Sequence, residues 1–439
     1  MPRRNLLLIF AALGVTLALA SRAEQNPQTR HVSRGFRLID ELALDEPPDE
    51  ELVDGAMRGM ISVLRRRGDT HSAYFPPRVA EPLRDEMRQE FGGVGVMIRV
   101  AAEPPGGLVV VEPPDPSGPA FDAGVKNGDR IVAIDGHPTE GITLPEALEQ
   151  LRGPIGAPVD LRLARPQSPP SEENDYLNVT ITRRAIKLAA LKGDRRLKSG
   201  DWRYDLTGAE GVGHVRIAIF GNRTAEELAE VLDDLVSRGV SSVALDLRDN
   251  AGGAVDASIA VADLFLDAGA PIMSTRGRGG RVIDEYDAES PSRFDALQMA
   301  VLIDRDTASA AEIVAAALAD NDRARLFGER SFGKGTVQQL LTVGASRSLL
   351  KLTTASYWRP SGVNIHRLES AGDDEPWGVT PDPEDTVPLA DEQLETFRLW
   401  RRERDLLPSD EAPDALPPGP LQEDAVLAAA VEWLAAEPE

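Results

Sequence analysis

The chain has 439 residues, enough for about two to four domains, and its 42% hydrophobic and 27% charged residues exclude wholesale disorder and a multi-span membrane protein. Its 72 acidic and 48 basic side chains give a net charge of -24, which argues against nucleic acid as a partner, because such binding neutralises phosphates. There is no cysteine, and the five histidines (His31, His71, His137, His214, His366) form no HExxH pair, so disulfides, thiol catalysis and a metal helix are excluded and neither metal nor cofactor is expected.

Met1-Pro-Arg-Arg-Asn5 precedes an apolar run from Leu6 to Ala20, the layout of a secretory signal. Ala18-Leu19-Ala20 or Ser21-Arg22-Ala23 fits a cleavage site, and an uncleaved anchor helix, with membrane association through this segment, is the alternative. Either way the rest of the chain is expected outside the cytoplasm, periplasmic or secreted. Over 35–90, Phe36, Leu38, Ile39, Leu42 and then Leu52, Val53, Met57, Met60, Ile61, Leu64 recur at helical spacing, broken by Pro47-Pro48. Gly68-Asp69 and Pro76-Pro77 mark turns.

From Phe91 a β-rich module begins. A glycine loop, Gly92-Gly93-Val94-Gly95, feeds an apolar strand through Val96 and Ile98. Strands follow at Leu108–Val111, Arg130–Ile134 and Val159–Leu163, with a helix at Leu144–Leu151 and a proline-rich linker at Pro166–Glu173. An α/β unit comes next: strand Val212–Phe220, helix Thr224–Gly239, strand Val243–Leu247, helix Ala257–Leu266, strand Ala300–Ile303 and helix Ala310–Asp320. Thr224 and Glu227 have capping-box spacing, and Gly239 stands where a helix terminator belongs. This alternation predicts a largely parallel sheet. The tail from Asp405 lacks Lys and Arg and ends in a helix over Gln422–Ala436.

Three segments carry chemistry. In Ile303-Asp-Arg-Asp-Thr-Ala-Ser-Ala-Ala-Glu-Ile313 a strand ends in a turn and Ser309 stands at a helix start, beside free N–H groups that suit an oxyanion. A serine that merely caps the helix is the bland alternative. In Ser331-Phe-Gly-Lys-Gly-Thr-Val-Gln-Gln339, Lys334 lies between glycines. Extended backbone puts Lys334, Thr336 and Gln338 on one face, so Gln338 is suited to orient the amine. A lysine accepts a proton only when neutral, the form that burial favours; a surface lysine in a turn is the alternative. In Asp246-Leu-Arg-Asp-Asn-Ala-Gly-Gly253 the paired glycines let backbone N–H groups approach a carbonyl, while Asp246 and Arg248 fit a simple ion pair.

Together these segments resemble the C-terminal processing peptidases, serine proteases with a Ser–Lys dyad and an embedded PDZ domain. The resemblance rests on Thr307-Ala-Ser-Ala-Ala-Glu312, Phe332-Gly-Lys-Gly-Thr-Val-Gln338, Asp246 to Gly253, Tyr357-Trp-Arg-Pro-Ser-Gly362 and Gly378-Val-Thr-Pro-Asp382, in order over 35–385. It departs at Ala311, where the family has serine, and at Gly68–Tyr74, which keeps the His-Ser-x-Tyr end of a longer family run. The resemblance implies a mixed α/β, multidomain chain: a crotonase-like ββα protease core with an inserted PDZ domain and helical N- and C-terminal segments. The expected divisions are a signal at 1–23, a helical region at 24–90, a PDZ domain at 91–166, the core at 167–390 and a C-terminal tail and helix at 391–439.

The implied catalytic residues are Ser309, Lys334 and Gln338, with oxyanion donors from Ala310 and from Gly252 or Gly253. The PDZ loop, Gly92, Gly93, Val94, Gly95 and Val96, would take a peptide C-terminus, with the domain capturing substrate C-termini or gating the protease. The expected partners are protein or peptide substrates with accessible C-termini, and a second copy of the chain, with the N-terminal helices and the Gln422–Ala436 helix as dimer-building elements. His214, in a strand near the core, is read as a hydrogen-bonded structural residue. Two other readings remain: a catalytically silent PDZ-containing binding or scaffold protein, and acyl-CoA chemistry on the same fold family, which explains neither the signal nor the PDZ insert.

Overall fold

The computed structural model describes residues 26–45, 47–77, 79–80, 92–100, 107–111, 114, 118–165, 176–185, 190–197, 201–344, 348–368, 370–372, 374–405 and 420–436. The signal segment 1–23 and the linker 166–173 lie outside the described residues. The chain divides into two units, Met1–Ala80 with Gln339–Leu352, and Glu81–Gln338 with Thr353–Glu439.

In the first unit, helices Pro27–Leu42 and Asp49–Arg65 flank the Pro47-Pro48 break. Asn26 caps the first helix, accepting the Gln28 N–H at 3.0 Å. Strand Ala73–Phe75 pairs antiparallel with Leu349–Lys351. The Gly68–Tyr74 segment is locked by Asp69, which accepts the Ser72 N–H at 2.9 Å and the Ser72 hydroxyl at 2.6 Å. Tyr74 is buried and donates its hydroxyl to Asp54 at 3.0 Å.

In the second unit, the β-rich module is an antiparallel sheet ordered Ile98–Val100, Leu108–Val110, Arg130–Ile134, Pro158–Ala164 and Leu177–Thr182. Helix Leu144–Leu151 contributes Ala147 and Leu151 to its core. The last strand aligns Leu163 with Leu177 and buries Ile181. The sheet therefore continues past the expected boundary at 166, because the chain returns across the linker to cover the open edge of Pro158–Ala164. The strand after the glycine loop begins at Ile98, not at Val96.

The α/β sheet is ordered Leu191–Lys192, Val212–Ile217, Ser242–Asp246, Gln298–Ile303 and Arg325–Gly328, antiparallel at the first pair and parallel after it. Side chains alternate between its faces. Val243, Leu245, Val301 and Ile303 join helices Thr224–Ser237, Val255–Asp263 and Ala310–Asp320, whereas Ala244, Ala300 and Leu302 meet helix Ala425–Ala435. Val426, Leu427, Ala430, Val431 and Leu434 are buried there, at about 1.5–3 kcal/mol for each large side chain. The apolar face of this helix is thereby buried against its own sheet. Thr224 is the first helical residue and not the cap: its hydroxyl braces the preceding turn, accepting the Gly221 N–H at 2.8 Å and donating to the Ile219 carbonyl at 3.2 Å.

Several elements escape the sequence reading, a hairpin and a charged helix among them. A hairpin pairs Pro271–Arg276 with Val282–Asp287. Helix Asp391–Asp405 is strongly charged, and among its described side chains Leu394, Phe397 and Arg404 are buried. Its periodic signal is weak because ion pairs, more than apolar side chains, seat it.

Candidate active site

Strands Ser242–Asp246 and Gln298–Ile303 are parallel neighbours, so the turns that leave them, 247–253 and 304–309, emerge side by side at the carboxyl ends of the strands. Such ends are where open α/β sheets hold their sites. Hydrogen bonds join the two turns. Thr307 donates its hydroxyl to the Leu247 carbonyl at 2.9 Å, the Ala308 N–H donates to the Asn250 carbonyl at 2.8 Å, and the Asp249 N–H donates to the Asp304 carboxylate at 3.1 Å. Asn250 is fully buried. Its amide donates to the Ile217 carbonyl at 2.6 Å, and its side-chain oxygen accepts the Gly252 N–H at 2.7 Å.

Ser309 has φ 57° and ψ -118°, a backbone state in which a non-glycine residue costs about 1–3 kcal/mol. Ser309 is half-buried, while its neighbour Ala310 is buried. Gly252, at φ 104°, permits this turn: a Cβ there would stand 2.8 Å from the Ser309 Cβ and 2.9 Å from the Ala308 carbonyl oxygen. Gly252 therefore shapes the site but has no N–H to offer, since Asn250 takes it. Among the described residues the N–H groups of Gly253 and Ala310 have no hydrogen-bond acceptor. Of the two glycines read from sequence, Gly253 is thus the one left able to donate.

Glu312 ties the serine turn to the lysine segment. It is fully buried, with two donors on each oxygen. Oε1 accepts the Ser331 hydroxyl at 2.5 Å and the Gly333 N–H at 2.7 Å; Oε2 accepts the Ser309 N–H and the Lys334 N–H, each at 2.8 Å. The backbone nitrogens of Ser309 and Lys334 therefore lie no farther apart than twice that 2.8 Å bond. Burial pushes the Glu312 carboxyl above the ordinary glutamate value, and the Ser331 hydroxyl and three N–H groups oppose the rise. The Phe332 N–H adds a bond to the Thr307 carbonyl at 2.9 Å.

Lys334 is half-buried, and among the described residues no carboxylate pairs with its amine. It precedes the strand, which starts at Thr336, so the shared face holds only Thr336 and Gln338. The Gln338 amide donates to the Thr336 hydroxyl at 2.7 Å and to the Thr336 carbonyl at 3.1 Å. Thr336, not Lys334, sets its orientation.

Asp246 and Arg248 form the expected pair, with bonds of 2.9 and 2.7 Å, inside a larger buried network. Arg248 also donates to Asp424 at 2.8 and 2.7 Å, Arg401 donates to Asp246 at 2.9 Å, and His214 Nε2 lies 3.1 Å from Asp246 Oδ2. Burial opposes the charge on Asp246, yet Arg248 and Arg401 hold its carboxyl well below the usual range. The Phe397 ring centroid lies 4.8 Å from the Arg248 guanidinium and 4.5 Å from that of Arg401. His214 is buried and bonded to Asp246 through Nε2, while its Nδ1 has no partner among the described residues.

In the PDZ-like module Gly92, Gly93 and Val94 are buried, and Gly95 turns the chain at φ 75°. The Val94 carbonyl accepts the Ala120 N–H at 3.0 Å. Val96 packs against the module core, and among the described residues Ile98–Val100 is an edge strand of its sheet. The loop is thus remote in sequence from the Ser309 turn and built as a separate backbone cradle.

Sequence reasoning missed Glu312 as the link between the serine and lysine segments, although its place three residues after Ser309 is capping-box spacing. Asn250, Thr307 and Ser331 were also missed as braces. Arg401 and Asp424 left no local signal, because their partners lie far away in the chain.

Residues 211–384 match peptidase family S41, and residues 110–165 match a PDZ domain. A carboxy-terminal-processing protease of Bartonella bacilliformis is 36% identical over 340 residues, 76% of this chain and 70% of that protein. A carboxyl-terminal-processing protease of Picosynechococcus sp. is 31% identical over 362 residues, 82% of this chain and 80% of that protein. Among solved structures, a photosystem II D1 C-terminal processing protease is 27% identical with a TM-score of 0.48, covering 88% of this chain and 99% of that one.

Proposed function

The chain belongs to the C-terminal processing proteases of peptidase family S41, serine-type peptidases, and from that membership we propose that Ser309 and Lys334 form its catalytic dyad. The observation that carries the proposal is the single Glu312 oxygen accepting both the Ser309 and the Lys334 N–H, at 2.8 Å each. Lys334 Nζ takes the proton from Ser309 Oγ as that oxygen attacks the substrate carbonyl. The N–H groups of Ala310 and Gly253 meet the charge that develops on the carbonyl oxygen. As the C–N bond breaks, the Lys334 ammonium protonates the departing amine. Water, deprotonated by the same amine, then hydrolyses the acyl-serine. Gln338, held by Thr336, lines the approach to Lys334.

The substrates are proteins or peptides. In this reading the cradle at Gly93–Val96 takes a substrate's C-terminal carboxylate, and edge strand Ile98–Val100 takes its backbone, which delivers chain ends to Ser309. The signal-like residues 1–23 support an extracytoplasmic location. Among the described residues no helix is long and apolar enough to cross a membrane.

An unstructured peptide with a free C-terminus tests both claims. Ser309→Ala and Lys334→Ala are each expected to lower cleavage by roughly 10³-fold or more with unchanged circular dichroism, and Ser309→Ala is expected to escape phosphonate labelling. C-terminal amidation of the peptide is expected to weaken capture. Retained cleavage in either variant would falsify the dyad; equal handling of the amidated peptide removes the carboxylate role.

A further inference from the structure

The oxyanion turn and the nucleophile turn each present carboxylates to the other. Asp249, three residues before Gly252, and Asp304 and Asp306, ahead of Ser309, bring carboxylate oxygens within 4.8 Å of one another. Asp249 holds φ 57°, a state that aims this turn at its neighbour. Three like charges so close repel, and the repulsion acts to part the two turns whose separation sets the oxyanion geometry. Burial, and then the Asp249 charge beside it, push the Asp304 carboxyl above its ordinary value.

A guanidinium meets two of these carboxylates, Asp249 and Asp306. Arg398, on helix Asp391–Asp405, donates Nε to Asp249 Oδ1 at 2.8 Å, and its Nη2 donates to both Asp249 and Asp306. The helix is itself anchored to the nucleophile turn. Arg305 donates to Asp391 at 2.6 Å and to the Leu389 carbonyl at 2.6 Å. At its far end Arg404 pairs with Asp194 at 2.8 Å.

We propose that Arg398 is a positioning residue for proteolysis, a guanidinium clasp that holds the oxyanion turn against the nucleophile turn by bridging Asp249 and Asp306. It touches neither substrate nor the reacting atoms. Its planar fork reaches two carboxylates at once, which a lysine ammonium does less well. The inference rests on the dyad reading, since it concerns the distance between Ser309 and the Gly253 donor.

The test uses the full chain and steady-state cleavage of one peptide. Arg398→Ala is expected to lower kcat about tenfold with KM unchanged, and Arg398→Lys to fall between it and the wild type. The three carboxylates of the alanine variant repel less when screened, so raising salt from about 0.02 M to about 0.3 M is expected to restore part of its kcat. Asp306→Asn added to Arg398→Ala is expected to do the same without salt. A wild-type kcat in Arg398→Ala overturns the clasp, as does a loss that neither salt nor Asp306→Asn relieves. If Arg398→Ala does not fold, the Arg398→Lys and Arg398→Ala/Asp306→Asn proteins carry the same comparison. Failure of the dyad reads differently: the wild type then shows cleavage that survives Ser309→Ala.

Discussion

Glu312→Gln separates the geometry of the site from the stability of the fold. Each Glu312 oxygen accepts two donors, and glutamine keeps one oxygen while turning an NH₂ toward the other pair. With its oxygen on the Ser309 and Lys334 side, the NH₂ meets the Ser331 hydroxyl, which can rotate to accept, and the Gly333 N–H, which cannot. In the opposite orientation both the Ser309 and Lys334 N–H groups lose their acceptor. One buried donor without a partner costs about 1–3 kcal/mol. Against this, the raised pKa of Glu312 means that burial penalises the charge by more than its four hydrogen bonds return, and a neutral amide escapes that penalty.

The expected net loss of stability is therefore within about 3 kcal/mol, a fraction of the 5–15 kcal/mol typical of a folded protein. Catalysis is less forgiving, because misplacement by about 1 Å costs on the order of 10²-fold. Peptide cleavage and urea unfolding on the same preparation are expected to show kcat down about 100-fold with a cooperative, modestly shifted transition. A wild-type kcat refutes the clamp. A stability loss far beyond this range shows that Glu312 holds the fold and not the site.

Gly252→Ala forces a left-handed backbone onto alanine and sets a methyl 2.8 Å from the Ser309 Cβ, so cleavage and phosphonate labelling of Ser309 are expected to fall together; normal labelling contradicts the close approach. Burial holds the His214 imidazole below its ordinary value, aided by Arg401 and Arg216 and opposed by Asp246. As pH drops through about 6.5 the unfolded chain takes up that proton before the folded chain does, so stability declines with pH below that point. His214→Gln is expected to flatten the urea midpoint between about pH 7 and pH 5.5; parallel slopes in the two proteins exclude His214 as the source.

Much of the site was legible because its parts are local. Ser309 at a strand-to-helix turn, glycines at 252 and 253, and Lys334 between glycines each declare a backbone requirement within a few residues. What stayed hidden depends on contacts across the chain. The Gly252 N–H looked available until Asn250, two residues earlier, proved to accept it. Lys334 read as extended because β-branched residues follow, yet its N–H bonds Glu312 and the ladder starts two residues later. Helix Asp391–Asp405 was lost for a similar reason: its arginines look solvent-facing until Asp246, Asp249 and Asp194 are found opposite them. No local cue shows that strand Leu177–Thr182 returns to the sheet of Pro158–Ala164.

The partners of the oxyanion turn arrive late in synthesis. Asp424 completes the charge balance of Arg248, Arg398 reaches Asp249, and helix Ala425–Ala435 covers Ala244, Ala300 and Leu302. A growing chain thus carries its serine turn long before these groups exist, with one sheet face wet and an arginine short of a carboxylate. Until residues 391–435 have been made, the 247–253 turn therefore lacks its Arg398 and Asp424 partners and one face of its sheet lacks its cover.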